Sequence, residues 1–305
     1  MYTETPLNFN EISSFVIHEK NLQIPYLTGP QKLFFYDACA FQRHAHLAQP
    51  EPIFSYIKSE NGLVVLTRCI LMELTSESNM LCPEYIEYIR CLHHAEIPVL
   101  LLNEEDLFFV FDCCFSSTVK INSFLSWAIS TVHRPSTTIT ATFCAEPELF
   151  SAITNRQSSD RMLFRHFFQT VRKNKTSGDN LGEELLTICV HLLSNLPSCQ
   201  AHQYLILTED KGAVRIISKA AENSSKQLDF FAFSALTTTR LAQHLYDKGI
   251  LTDPTKIREL LVGPTNAPIK FFGSGAYDLA PLEKKMSAED LSLMITIPGA
   301  IHINY

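Results

Sequence analysis

Short, unbroken apolar runs recur along this chain, each closed by a polar residue or a turn and followed by a helical stretch. They are LFFYD at 33–37, GLVVLT at 62–67, IPVLLL at 97–102, YLILT at 204–208 and LDFFAFSA at 228–235. A strand with one wet face alternates apolar and polar residues, whereas a continuous run buries both faces, as in a parallel sheet covered by helices. Between the runs, EPIFSYIKSE, RCILMELTSES, PEYIEYIRCLHHAE, LGEELLTICVHLLSNL, VRIISKAAENS and TTTRLAQHLYDKGIL read as helices. Pro83 opens one of them, and Asn61-Gly62 marks the turn into the second strand. Strand and helix in alternation predict right-handed crossovers, hence an α/β fold around a central, mainly parallel five-stranded sheet.

The rhythm breaks between about 107 and 175. FFVFDCCFSSTVKINSFLSWAISTV is helical and apolar, and SSDRMLFRHFFQTVRKNKTSGDN is amphipathic and basic, so a helical insertion is expected there. The expected organisation is an N-terminal extension at 1–29, a main domain at 30–253 containing the insertion, and a C-terminal extension at 254–305. That last segment is rich in Pro and Gly, with strand signals only at IKFF and LMITI.

Composition narrows the function classes. Hydrophobic residues at 46% and charged residues at 19% are globular values, and no apolar run approaches the length of a membrane span. MYTETPLNFNEISSF lacks the basic and apolar regions of a signal peptide, so the expectation is a cytoplasmic protein with no membrane partner. Nine cysteines with no CxxC pair are expected to be reduced core thiols, not zinc ligands. A net charge of −7 argues against coating nucleic acid by bulk electrostatics, while leaving room for an enzyme that grips a short segment. His44, His46, His93 and His94 are expected at the surface. No Gly-x-Ser-x-Gly elbow frames a serine nucleophile, and GSGAY lacks the strand-to-helix setting of a phosphate loop.

Four acids sit at the ends of these elements. Asp37 closes the first run, Glu73 lies in the helix after the second, Glu183 opens the LGEELL helix, and Asp210 follows the fourth run. A parallel sheet gathers its carboxyl ends into one crevice, so these acids are expected to converge there, with Asp37 either a helix N-cap or part of a site. Converging carboxylates raise one another's pKa unless a cation neutralises them, and hard oxygen ligands suit Mg²⁺ or Mn²⁺.

The combination YDACAF, ILMEL, NLGEELL and LILTEDKGA resembles the PIN-domain nucleases, over about residues 30–105 and 176–250. The resemblance implies a Rossmann-like, three-layer α/β/α sandwich and a metal-dependent endonuclease in which water attacks phosphodiester bonds, most often in RNA. By position, Asp37 matches the first acid, Glu73 the second, Glu183 the acid opening the helix before strand four, and Asp210 the acid after LT; all four would be catalytic and metal-binding. Asp179 is an alternative third acid. Thr208 matches the hydroxyl residue before the last acid and is expected to contact substrate. The basic stretch Arg161, Arg165, His166, Arg172, Lys173 and Lys175 is expected to grip the phosphate backbone, chiefly through Arg165, Arg172 and Lys173. RNA comes ahead of DNA as the partner, and a homodimer and a protein inhibitor are further partners to test. The alternative from another class is a PIN-like binding or scaffolding module that no longer cuts.

Overall fold

Strand β1 (Lys32–Tyr36) lies at the centre of a five-stranded, all-parallel sheet of order β3-β2-β1-β4-β5. Its partners are β2 (Gly62–Thr67) and β4 (Tyr204–Leu207), with β3 (Val99–Leu102) and β5 (Phe233–Leu236) outside them. These statements come from a computed structural model that describes residues 4–17, 31–115, 120–132, 138–155, 160–263 and 267–305. Much of the expected N-terminal extension and the Ser-rich stretch at 116–119 therefore lie outside the described residues. Leu33, Phe34, Phe35 and Tyr36 are all fully buried, so both faces of the sheet are covered, as a continuous apolar run requires. Phe34 meets Tyr56, and Phe35 meets Tyr204, edge to face.

The strand order carries a functional consequence. The chain moves outward from β1 to β2 and β3, then returns to the opposite side of β1 with β4. The direction of winding thus reverses between β1 and β4, and the carboxyl ends of those two strands flank a switch-point crevice. In register, Tyr36 pairs with Leu207, so Asp37 and Thr208 leave the sheet side by side.

The helices of this domain are α1 (Ala38–Ala45), α2 (Glu51–Ser59), α3 (Arg68–Glu73) and α4 (Pro83–His94), followed beyond β3 by α5 (Leu107–Cys114), α6 (Ile121–Val132), α7 (Thr138–Ala145), α8 (Pro147–Thr154) and α9 (Arg161–Lys173). Then come α10 (Leu181–Leu193), α11 (Lys211–Leu228) and α12 (Thr238–Asp247). Helices α5 to α9 share an aromatic core in which Phe108 meets Phe164, and Phe143 meets Phe167.

Helix α9 corrects one expectation. Leu163, Phe164, Phe167, Phe168 and Val171 form its buried stripe, but Arg172 is buried too, at 2% exposure. Its guanidinium pairs with Glu104 at 2.5 Å, Glu105 at 2.8 Å and Glu4 at 3.1 Å, beneath the single 3-10 turn Glu104–Asp106. Arg172 is a structural cation, not a phosphate contact, because three carboxylates already enclose it. Arg161 lies over the Phe109 ring, 3.9 Å from its centroid, while Arg165 and Lys173 remain exposed.

Three further readings change. The fifth strand begins at Phe233, five residues later than its apolar run, because α11 continues to Leu228 and Asp229 ends it in the left-handed conformation (φ 60°). LMITI falls largely in a helix, α14 (Ala288–Ile295), which buries Leu291 and Ile295 at helical spacing and is capped by Ser287. The C-terminal segment also contains α13 (Pro254–Leu261) and an antiparallel sheet of order β7-β6-β8, formed by β6 (Ile269–Gly275), β7 (Leu282–Met286) and β8 (Ile301–Ile303). Gln243 of α12 ties this sheet to the main domain, donating to the Ile301 carbonyl and accepting from the Ile303 N–H, each at 2.7 Å. All nine cysteines are free thiols, but only Cys69 and Cys189 are buried.

Candidate active site at the switch point

Asp37 is both things the sequence allowed. As the N-cap of α1 it accepts the Ala38 N–H on Oδ1 at 2.7 Å, and on Oδ2 it accepts the Thr208 hydroxyl at 2.7 Å and the Cys39 thiol at 2.8 Å. It is 2% exposed, and burial pushes its carboxyl above the ordinary range against those donors, with Asp210 adding to the rise. Thr208 is fully buried: it donates to Asp37 and accepts the Asp210 N–H at 3.1 Å. The expected substrate contact at Thr208 is therefore corrected, since its hydroxyl is engaged in fixing one acid against the loop that carries the other.

Asp210 caps α11, accepting the N–H groups of Gly212 and Ala213 on one oxygen, and its side of the site is open to solvent. Glu73 ends α3, and its carboxylate meets the Lys175 ammonium at 2.6 Å. Burial raises Glu73, and Lys175 opposes the rise. The same ammonium pairs with Asp179 at 2.6 Å, and its side chain is almost wholly buried. Asp179 also accepts from the Thr138 hydroxyl and the Thr176 and Leu181 N–H groups; against burial, Lys175 first and then the Thr176 and Thr138 donors hold its carboxyl below the ordinary range. With its oxygens so engaged, Asp179 anchors the entry to α10, and Glu183 is the acid of this segment that faces the others.

Glu183 has a strongly raised carboxyl. Burial, followed by the charges of Asp37, Glu73 and Asp210, pushes it up to about 8, and its buried Oε2 has no hydrogen-bond partner among the described residues. All four sequence-predicted acids are thus brought within electrostatic reach of one another, although they come from four separate elements. Among the described residues no group of three or more His, Cys, Asp or Glu side chains is arranged to hold a metal ion. The donor set is nonetheless one of hard oxygens with an orphaned buried atom, which suits a small divalent cation.

Gly182 shows how tightly Glu73 is held. A Cβ at that position would stand 2.5 and 2.7 Å from the two Glu73 carboxylate oxygens, so any larger residue there must push that carboxylate aside. Gly182→Ala should leave thermal stability within about 1 kcal/mol of wild type, because alanine favours the helix by up to that amount. It should also displace the Glu73 carboxylate and weaken any Mn²⁺-induced shift in melting temperature; unchanged Mn²⁺ dependence would place Glu73 outside the site.

Sequence reasoning missed the residues around the acids. Glu209 accepts from the Thr238 N–H at 2.8 Å, the Thr238 hydroxyl at 2.6 Å and Arg43 at 3.2 Å, tying the loop after β4 to α12 and α1. Cys39 donates to Asp37 and accepts the Glu209 N–H at 3.2 Å. Its place two residues after Asp37 is the only sequence hint. Lys175, expected in the basic stretch that grips phosphate, is instead buried against Glu73 and Asp179, a pairing signalled by its spacing of four from Asp179. His44, expected at the surface, is fully buried between Tyr36 and Thr238, each at 2.9 Å, and burial pushes it down to about 3, so it is neutral.

No family model, no curated protein and no solved structure matches the chain. No helix among the described residues is long and apolar enough to cross a membrane.

Proposed function

We propose that the protein is a PIN-like, divalent-metal-dependent nuclease that hydrolyses phosphodiester bonds, with RNA as its substrate. The observation that carries this reading is Glu183: a half-buried carboxyl whose inward oxygen has no hydrogen-bond partner among the described residues, repelled by three other acids at the switch point of a parallel sheet. Repelling carboxylates are stabilised by binding a cation, and strongly perturbed acids in a crevice are characteristic of catalytic sites.

Asp37, Glu183 and Asp210 would hold Mg²⁺ or Mn²⁺, with Glu73 beside them. Such an ion, when bound, screens the phosphate charge, lowers the pKa of water and stabilises the leaving oxygen. The chain's own contribution is positional and acid–base. Thr208, Cys39 and the Ala38 N–H fix the Asp37 carboxylate, and Asp210 is fixed by the first turn of α11. Glu183, raised to about 8 by burial and its acidic neighbours, would release its proton as the ion binds.

A second reading, the PIN-like binding module without cleavage, is favoured by one observation. The Lys175 ammonium already bridges Glu73 and Asp179 inside the cluster, offsetting one of their two charges. The two readings part on one experiment, incubation of 5′-labelled single-stranded RNA with wild type and Asp37→Asn, with and without Mn²⁺. Cleavage by wild type only, dependent on Mn²⁺ and reduced at least about 100-fold in Asp37→Asn, is the expected result. Binding of RNA without cleavage under any condition would favour the module.

A further inference from the structure

With Arg172 enclosed by carboxylates, a chain of net charge −7 needs another positive surface to bring a polyanion to its acids. One lies on the other side of Asp210. A cleft of about 530 Å³ opens between the first turns of α11 and the β6–β7 hairpin, lined by Lys211, Arg215, Lys270, Phe272 and Tyr305 among others. It shares Arg43, Glu209 and Gly263 with a second cleft of about 660 Å³ that reaches Cys39, the thiol bonded to Asp37. Glu209 and Lys211 line this groove, and Asp210 stands between them in sequence.

We infer that this groove, built by the C-terminal antiparallel sheet against α11, is the binding track for single-stranded RNA. Three observations point to that occupant. In the β6–β7 register Lys270 stands directly opposite Lys285, both exposed; like charges facing each other destabilise a sheet unless an anion lies over them. Lys211, Lys270 and Arg215 all act on Glu283, whose carboxyl is held below the ordinary range first by the Lys211 hydrogen bond, so these cations converge on one spot. Phe272 and Tyr305 stack with ring centroids 5.2 Å apart and planes 15° from parallel, a platform of the kind on which unpaired bases stack. Glu209, Thr239 and Glu283 also line the cleft and offer acceptors to a ribose 2′-hydroxyl, the group that distinguishes RNA from DNA. The inference rests on the nuclease reading for what happens to the strand, but not for its binding.

The test is fluorescence anisotropy of labelled oligouridylate in EDTA, where no cleavage interferes. Arg215→Ala/Lys270→Ala, both at exposed positions, should weaken binding about tenfold or more and reduce the salt slope by about 1.4, the value for two lost single-strand phosphate contacts. Lys285→Glu should weaken it independently, and oligodeoxythymidylate should bind less tightly than the RNA. Full binding by both groove variants, or loss confined to Arg165→Ala/Lys173→Ala on α9, would overturn the inference; equal affinity for DNA would overturn the assignment to RNA. Adding Mn²⁺ separates this from the nuclease reading. RNA bound through the groove but left uncut sustains the groove alone, and RNA cut by groove variants that bind as wild type sustains the nuclease alone.

Discussion

Arg172→Ala should lower the unfolding free energy by about 3–5 kcal/mol, the cost of stripping a buried ion pair of one partner. Glu104 is fully buried, and after Arg172 its remaining donor outside its own turn is the Cys69 N–H at 2.8 Å. Burial raises the Glu104 carboxyl and Arg172 pulls it back, so deleting the guanidinium leaves a desolvated charge that must take up a proton or drive local opening. Glu105 and Glu4 lose the same partner. Urea denaturation of Arg172→Ala beside Arg165→Ala is the measurement. The exposed Arg165 should change stability by no more than about 0.5 kcal/mol. If the two variants unfold at the same urea concentration, the buried carboxylate network does not exist as described. Arg172→Met combined with Glu104→Gln should recover part of the loss, because both buried charges are then removed together.

Glu183→Gln should change how the protein responds to pH and to metal. Its folded pKa of about 8 stands above the ordinary glutamate value of 4.5, so the contribution is fully present below about pH 4.5 and is lost as pH rises toward 8. Across that window the unfolded chain releases the proton while the folded one retains it, and above pH 8 both are charged. The groups facing Glu183 are Asp37, Glu73 and Asp210, with Lys175 offsetting Glu73. Without added metal, Glu183→Gln should match wild type near pH 4.5 and exceed it at pH 8.5 by on the order of 2–3 kcal/mol, once solvent screening is allowed for. With Mg²⁺ the order reverses. A divalent ion competes with the proton, so its stabilisation of wild type should grow between pH 6 and 8.5, whereas the variant should respond weakly and without pH dependence. Melting curves on a grid of pH and Mg²⁺ concentration test this. Parallel pH profiles for the two proteins would show that Glu183 is not the strained acid of the cluster.

The sheet was legible because its signal is local: a continuous apolar run such as LFFY buries both of its faces, as a strand inside a parallel sheet does. The acids were legible for a related reason, since each stands at an element end and such ends are where a parallel sheet exposes polar groups. The switch point was not legible, because nothing in YLIL says that it lies beside KLFFY on the side away from GLVVLT. The role of Thr208 depends on that pairing, and so could not be read either. Arg165 and Arg172 illustrate the same limit. Their spacing of seven puts them on nearly the same side of α9, but the carboxylates of the Glu104–Asp106 turn enclose Arg172 and leave Arg165 exposed. The helix at LMITI, by contrast, had a signal in the sequence. Ser287 and Asp290 form an S-x-x-D cap, with the Asp290 N–H donating to Ser287 at 3.0 Å, and that pattern marks a helix start ahead of apolar residues that resemble a strand.

Asp37, Glu183 and Asp210 are proposed to form one divalent-cation site, with Lys175 bridging Glu73 and Asp179 beside it. Electron paramagnetic resonance of free Mn²⁺ during titration with protein measures this directly, since bound ion loses the six-line signal of the hexaaquo ion. Wild type at pH 8 should remove one Mn²⁺ per chain from solution, and Asp37→Asn and Glu183→Gln, each folded by circular dichroism, should remove little. An undiminished Mn²⁺ signal with wild type, or equal uptake by all three proteins, would contradict the claim.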